Sequence, residues 1–99
     1  MMLDIDEILK EHRSEIDRLD DEIVSLLALR LSVIDRVAKI KAEKNIQPHL
    51  KDRVDEVIKR NSEMANILGA DADLVATLYK QIIENAIERE TTYINSLNK

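Results

Sequence analysis

The sequence predicts an all-α fold, from its composition and from the spacing of its apolar residues. The chain has 99 residues, 44% hydrophobic and 35% charged, with one Gly, one Pro, two Tyr and no Phe or Trp. Strands favour aromatic residues and frequent turn residues, whereas Leu, Ala, Glu, Lys and Arg favour helices. A chain of this length forms one small domain, so we expect a single helical domain over residues 1–99.

The first predicted helix runs from about Asp4, which serves as N-cap, to about Lys44, because no Gly or Pro precedes Pro48. One face of this helix repeats with 3-4-3-4 spacing through Ile16, Leu19, Ile23, Leu26, Arg30, Val33, Val37 and Ile40. At ~1.5 Å per residue the helix is roughly 60 Å long, whereas a compact globule of this size has a radius of gyration of ~13 Å. One chain cannot cover that stripe.

Pro48 marks the break in the segment NIQPHL, and a second helix is predicted from about His49 to Leu68. Gly69, the only glycine of the chain, is expected to end this helix as its C′ residue. A third helix follows, capped by Asp71 or Asp73 and running to about Asn95. Three helices, one of them too long for a monomeric bundle, predict an intertwined homodimer with two-fold symmetry.

Composition also excludes several classes of function. The net charge of -5 and the pI near 5.0 argue against binding to nucleic acid or to an anionic membrane. The longest apolar run is the four residues from Leu26 to Leu29, which is too short for a membrane span. The chain has no cysteine, and we expect a cytoplasmic location. His12 and His49 have no partners at metal-ligand spacing, so no metal or cofactor is expected.

Two basic residues fall on the apolar face of the first helix. Arg30 occupies a position of the 3-4-3-4 repeat, and Lys41 follows eleven residues later. At ~100° per residue, eleven residues return to within about 20° of the same direction and separate the two Cα atoms by roughly 16 Å. Either both side chains extend along the apolar surface into water, or they face a common space. A buried unpaired charge costs several kcal/mol, so Arg30 needs an acidic partner or a bound anion.

Three further charged residues are candidates for the same space. Arg13 lies seventeen residues before Arg30, roughly 25 Å along the axis, so both could contact one small ligand only if Arg13 came from the other subunit. Taken alone, Arg13 and Arg53 are ordinary exposed charges on helices. Glu90 lies on the packing face of the third helix, where a carboxyl group is either paired with Arg30 or Lys41 or kept protonated by desolvation.

These residues stand in a recognisable order. The chain resembles the all-helical chorismate mutase family over nearly its whole length. The resemblance rests on four segments in the family's order: R-S-E-I-D-R-L-D-D-E-I-V-S-L-L-A-L-R from Arg13 to Arg30, K-I-K ending at Lys41, Pro48 with D-R ending at Arg53, and the I-I-E segment that leads to Glu90. The resemblance implies an intertwined dimer of three-helix chains, and the Claisen rearrangement of chorismate to prephenate without cofactor, metal or nucleophile.

The resemblance also implies roles for single residues. Arg30 and Arg13 of the partner subunit would bind the two carboxylates of the substrate. Lys41 would contact the ether oxygen and a carboxylate, and Arg53 would add positive potential. Glu90 stands where the family usually has a glutamine that donates to the ether oxygen, so Glu90 must be protonated to act as a donor, and activity should fall as pH rises.

Three more positions depart from the family pattern and make the pocket less polar. Val54 replaces a glutamate that binds the ring hydroxyl, Ala86 replaces a serine, and Leu50 replaces an aspartate. Val54 also suits an isochorismate pyruvate-lyase or a 4-amino-4-deoxychorismate mutase, which resemble the family in fold. A non-catalytic helical interaction module, in which the charges in the apolar face form ion pairs across helices, is the alternative from a different class.

Overall fold

The computed structural model describes residues 4–98, which form three α-helices joined by two short connections. Helix α1 spans Ile5–Lys44, α2 spans Lys51–Ile67 and α3 spans Ala72–Leu97. Within residues 4–98 there is no β-strand. The predicted all-α class with one very long N-terminal helix is therefore confirmed.

Local capping explains where α1 begins and ends. The backbone N–H of Asp6 donates to Oδ1 of Asp4 at 3.0 Å, so Asp4 is the predicted N-cap. At the other end Asn45 adopts a left-handed conformation with φ of 55°, and the N–H of Ile46 donates back to the carbonyl of Lys41 at 2.9 Å. Asn tolerates this conformation better than most residues do. The chain thus leaves the helix at Asn45, before Pro48 is reached.

Helix α2 begins two residues later than predicted. Leu50 is extended, with φ of -115° and ψ of 100°, and its carbonyl accepts the N–H of Val54 at 3.1 Å. His49 therefore lies outside the helix, and the prediction of a start there is wrong. The reason is that Leu50 is the N-cap residue, which lies outside the helical conformation and makes Lys51 the first residue of the helix. The first turn has no side-chain cap at Leu50.

The connection between α2 and α3 follows the prediction closely. Gly69 has φ of 73°, its N–H donates to Asn66 at 3.2 Å, and the N–H of Ala70 donates to Ala65 at 2.8 Å. These two bonds form a Schellman motif, which needs a residue that adopts positive φ without strain. Asp71 then caps α3 by accepting the N–H of Leu74 at 3.1 Å. Helix α3 continues to Leu97, two residues past the expected end.

The chain divides into two compact units, residues 1–32 and 33–99. In the first unit, every residue from Asp4 to Leu26 is exposed. In the second unit, α2 packs against α3. Its buried residues are Ala38, Ala65, Ile83, Ala86 and Glu90. Four of these five are apolar, so the fifth, Glu90, marks where the second unit departs from an ordinary core.

Among residues 4–98, no helix is both long enough and apolar enough to cross a membrane.

Candidate functional site

Lys41 and Glu90 form a buried ion pair between α1 and α3. The Nζ atom of Lys41 lies 3.0 Å from Oε1 of Glu90, and the side chains are 14% and 4% exposed. The distance is that of an ion pair, but the angles are not those of a hydrogen bond, and Oε1 has no hydrogen-bond donor among residues 4–98. Removing one member of such a pair leaves an uncompensated buried charge.

Lys41 is held from a second side by the connection to α2. Its Nζ atom donates to the carbonyl of Pro48 at 2.9 Å. The left-handed turn at Asn45 reverses the chain direction at the end of α1, which lets a carbonyl seven residues onward meet the lysine. The ammonium group thus has one carbonyl and one carboxylate beside it, and of its three donors one is committed to Pro48.

Arg30 carries an unsatisfied donor. The residue is half-buried, and its Nη1 atom is buried without a hydrogen-bond partner among the residues that the structure describes. Buried polar groups in native proteins are nearly always hydrogen-bonded, and we expected an acidic partner or a bound anion at Arg30. Among residues 4–98 no carboxylate forms an ion pair with Arg30, and the binding of an anion stays a prediction.

The other two predicted arginines are exposed and paired within their own helices. Arg13 donates to Asp6 at 2.7 Å, with 54% of its side chain exposed. Arg53 pairs with Glu56 one turn later, and 64% of its side chain is exposed. Both arginines thus have the geometry expected for ordinary surface charges, and neither is paired with Lys41 or Glu90. Their predicted role in binding stays a prediction.

The two apolar candidates lie on α2 and α3. Val54 is half-buried in the first turn of α2 and offers no polar side-chain atom. Ala86 is 4% exposed and lies one turn before Glu90. Ala86 and Glu90 therefore lie on the same buried face of α3.

The sequence profile of the family described as chorismate mutase type II matches residues 12–91. The chain belongs to this family. The match includes Arg13, Arg30, Lys41, Arg53 and Glu90. The family predicted from the sequence is thereby confirmed.

Two curated relatives share this segment. The T-protein of Haemophilus influenzae is 29% identical over 87 residues, which cover 88% of this chain and 23% of that protein. The bifunctional chorismate mutase/prephenate dehydratase of Aquifex aeolicus is 34% identical over 88 residues, covering 85% of this chain and 24% of that protein. The chain thus spans about a quarter of the length of these relatives. No solved structure matches the chain significantly.

The second contact between α1 and α3 was not predicted. Nη2 of Arg89 donates to both carboxylate oxygens of Asp35, at 2.9 and 3.1 Å, and Nε donates to one of them at 3.3 Å. Both residues are exposed, and they lie 54 positions apart in the sequence. No local pattern marks such a pair, because each residue alone is an ordinary surface charge.

Open clefts on the second unit lie beside these contacts. Two of them, of about 410 and 450 Å³, share Glu88 and Thr92. Neither cleft is lined by Lys41, Arg53 or Glu90. Neither of these two clefts therefore corresponds to the predicted substrate-binding site.

Proposed function

We propose that the chain is a cytoplasmic, homodimeric chorismate mutase that rearranges chorismate to prephenate. The observation that carries the proposal is the match of residues 12–91, which include Arg30, Lys41 and Glu90, to the chorismate mutase type II family. The unpartnered Nη1 of Arg30 supports it, because a substrate carboxylate would supply the missing acceptor.

The reaction fits a site built from charged side chains alone. In this rearrangement the ether C–O bond breaks and a C–C bond forms within one molecule, and no proton or electron enters or leaves. The protein's work is to hold the side chain of the dianion over its ring and to stabilise negative charge as it develops on the ether oxygen. Cationic donors in a partly desolvated site do both.

Each cation has a separate part in the proposed reaction. Arg30 and Arg13 of the partner subunit bind the two carboxylates, and Arg53 adds positive potential near them. Lys41 donates to the ether oxygen in the transition state. Its contact with Pro48 keeps the ammonium group near the end of α1 in the free protein.

Glu90 acts as a second donor to the ether oxygen when it is protonated. Its Oε1 atom lies 3.0 Å from the Nζ atom of Lys41, so the two candidate donors lie side by side between α1 and α3.

The homodimer is supported by the exposed face and by the charges of α1. Between residues 4 and 29 there are nine acidic and three basic side chains, whereas residues 30–44 contain five basic and two acidic ones. The helix dipole explains such a bias only within the first and last turns. In an antiparallel pair of α1 helices the acidic half of each copy would face the basic half of the other, an arrangement that also allows Arg13 to reach the partner's site.

Val54 supports a second candidate that uses the same pocket. It gives the substrate's ring hydroxyl no acceptor, so isochorismate or 4-amino-4-deoxychorismate is the competing substrate, with pyruvate release or an amino analogue of prephenate as the result. The interaction module stays the alternative from another class, because Lys41, Arg13 and Arg53 are all paired within the chain.

One experiment separates these functions. The purified protein is mixed in turn with chorismate, isochorismate and 4-amino-4-deoxychorismate, and the products are identified by mass spectrometry. We expect prephenate from chorismate, lost in Arg30→Ala and retained in Arg36→Ala, a matched variant at an exposed arginine of the same helix. Turnover of only one of the other two substrates would assign that activity instead, and no turnover of any would favour the interaction module.

A further inference from the structure

Arg89 and Asp35 form the more directional of two links between α1 and α3. The guanidinium group makes three hydrogen bonds to one carboxylate, at 2.9, 3.1 and 3.3 Å. Planar pairs of this kind constrain orientation as well as distance. Among the ion pairs of residues 4–98, only this pair and Lys41–Glu90 join different helices.

The two links start from adjacent residues of α3 and lie about 9 Å apart along α1. Arg89 directly precedes Glu90 on α3, and Asp35 lies six residues before Lys41 on α1. At ~100° per residue the partners on each helix point in directions about 100–120° apart. Two attachments that diverge in this way fix the rotation of α3 against α1, which a single contact does not.

The buried pair needs that constraint. Lys41 and Glu90 are close but lack hydrogen-bond angles, and the Coulomb attraction between them depends on distance rather than direction. We propose that Arg89 and Asp35 are a positioning pair, which fixes where the Glu90 carboxyl group lies relative to Lys41. The structural part of this inference stands alone, and its consequence for turnover rests on the proposed function.

The structural part is tested by the coupling between Lys41 and Glu90. We measure a double-mutant cycle of Lys41→Met and Glu90→Gln by denaturant unfolding. The cycle is carried out once in the wild-type background and once in the Arg89→Ala background. We expect the coupling, expressed as a ratio of unfolding constants, to fall about tenfold in Arg89→Ala. Arg18→Ala breaks an ion pair with 63% and 62% exposed side chains elsewhere and should leave the coupling unchanged. An unchanged coupling in Arg89→Ala overturns the inference.

Turnover tests the catalytic consequence. Arg89→Ala should lower kcat about tenfold with KM within about twofold, since a small misplacement of catalytic groups slows the chemical step more than binding. Reversing the pair in Asp35→Arg/Arg89→Asp should restore kcat to within about threefold of the wild type. Arg89→Lys should stay slow, because lysine lacks the planar fork.

The outcomes are separable. If Arg89→Ala has the same kcat as the wild type, or if the reversed pair fails to restore kcat, the pair has no positioning role in catalysis. If the wild-type protein turns over none of the three candidate substrates, the proposed function falls, and the coupling measurement alone decides the positioning of Glu90.

Discussion

The two halves of α1 carry similar apolar spacing but have different surroundings. From Asp4 to Leu26 every residue is exposed, including Ile16 at 54% and Ile23 at 55%. In the second unit Ala38 of the same helix is 2% exposed, and Lys41 is joined to α3. Isolated helices of such length gain little stability without packing. Apolar spacing therefore predicts which face of a helix is buried, but it does not predict which chain covers that face.

The largest effect is expected from a charge placed in the exposed half. Ile23→Glu puts a carboxylate into the middle of the apolar face, which in a homodimer would have to be buried. We expect the dimer dissociation constant to rise about a thousandfold, roughly 4 kcal/mol. Sedimentation equilibrium measures it, with Ser25→Glu on the opposite side of the helix as control. A protein that is monomeric at all concentrations, or a dimer that Ile23→Glu leaves intact, contradicts the proposed pairing.

In the half of α1 that belongs to the second unit, the informative substitution removes one buried charge. Lys41→Met leaves Glu90 without a counterion, and we expect the free energy of unfolding to fall by about 3 kcal/mol. Adding Glu90→Gln should recover most of this loss, because the buried charge is then removed as well. Denaturant unfolding at fixed protein concentration measures both variants. Equal stability of the single and double variants would show that the pair is not coupled in solution.

The smallest effect is expected at Asn45, where the chain leaves α1. Asn45→Ala places an alanine in the left-handed conformation that ends α1, and we expect a loss of about 1 kcal/mol in unfolding free energy. Asn45→Gly should be neutral or slightly stabilising, since glycine adopts this conformation without strain. Thermal unfolding of the two variants distinguishes them. A stable Asn45→Ala would mean that the turn does not depend on the left-handed residue.

Sequence patterns predicted the features that depend on neighbours along the chain. Asp4, Gly69 and Asp71 act within a few residues, so their capping roles could be read directly. The start of α2 was placed two residues early, because the extended Leu50 carries no side-chain cap that would mark it. Helical ends without a polar cap are therefore the part of this fold that the sequence specifies least.

The candidate site likewise combines features that the sequence predicted with contacts that it did not predict. Periodicity placed Glu90 on a packing face, and an ion pair with Lys41 was one of the expected alternatives. Neither the Pro48 carbonyl at Lys41 nor the Asp35–Arg89 link could be predicted. One depends on how a turn folds back, and the other joins two exposed residues from distant helices. Contacts of this kind follow from tertiary packing rather than from any repeat in the sequence.

The hydrogen bond from Lys41 to Pro48 makes the connection between α1 and α2 a reporter of what the lysine binds. An anion that draws the ammonium group away releases the Pro48 carbonyl, and with it a restraint on the chain between Asn45 and Leu50. Amide hydrogen exchange at Ile46, whose N–H donates to the Lys41 carbonyl, would then record occupancy of the lysine without any turnover. A ligand held only by exposed arginines would leave that amide unchanged.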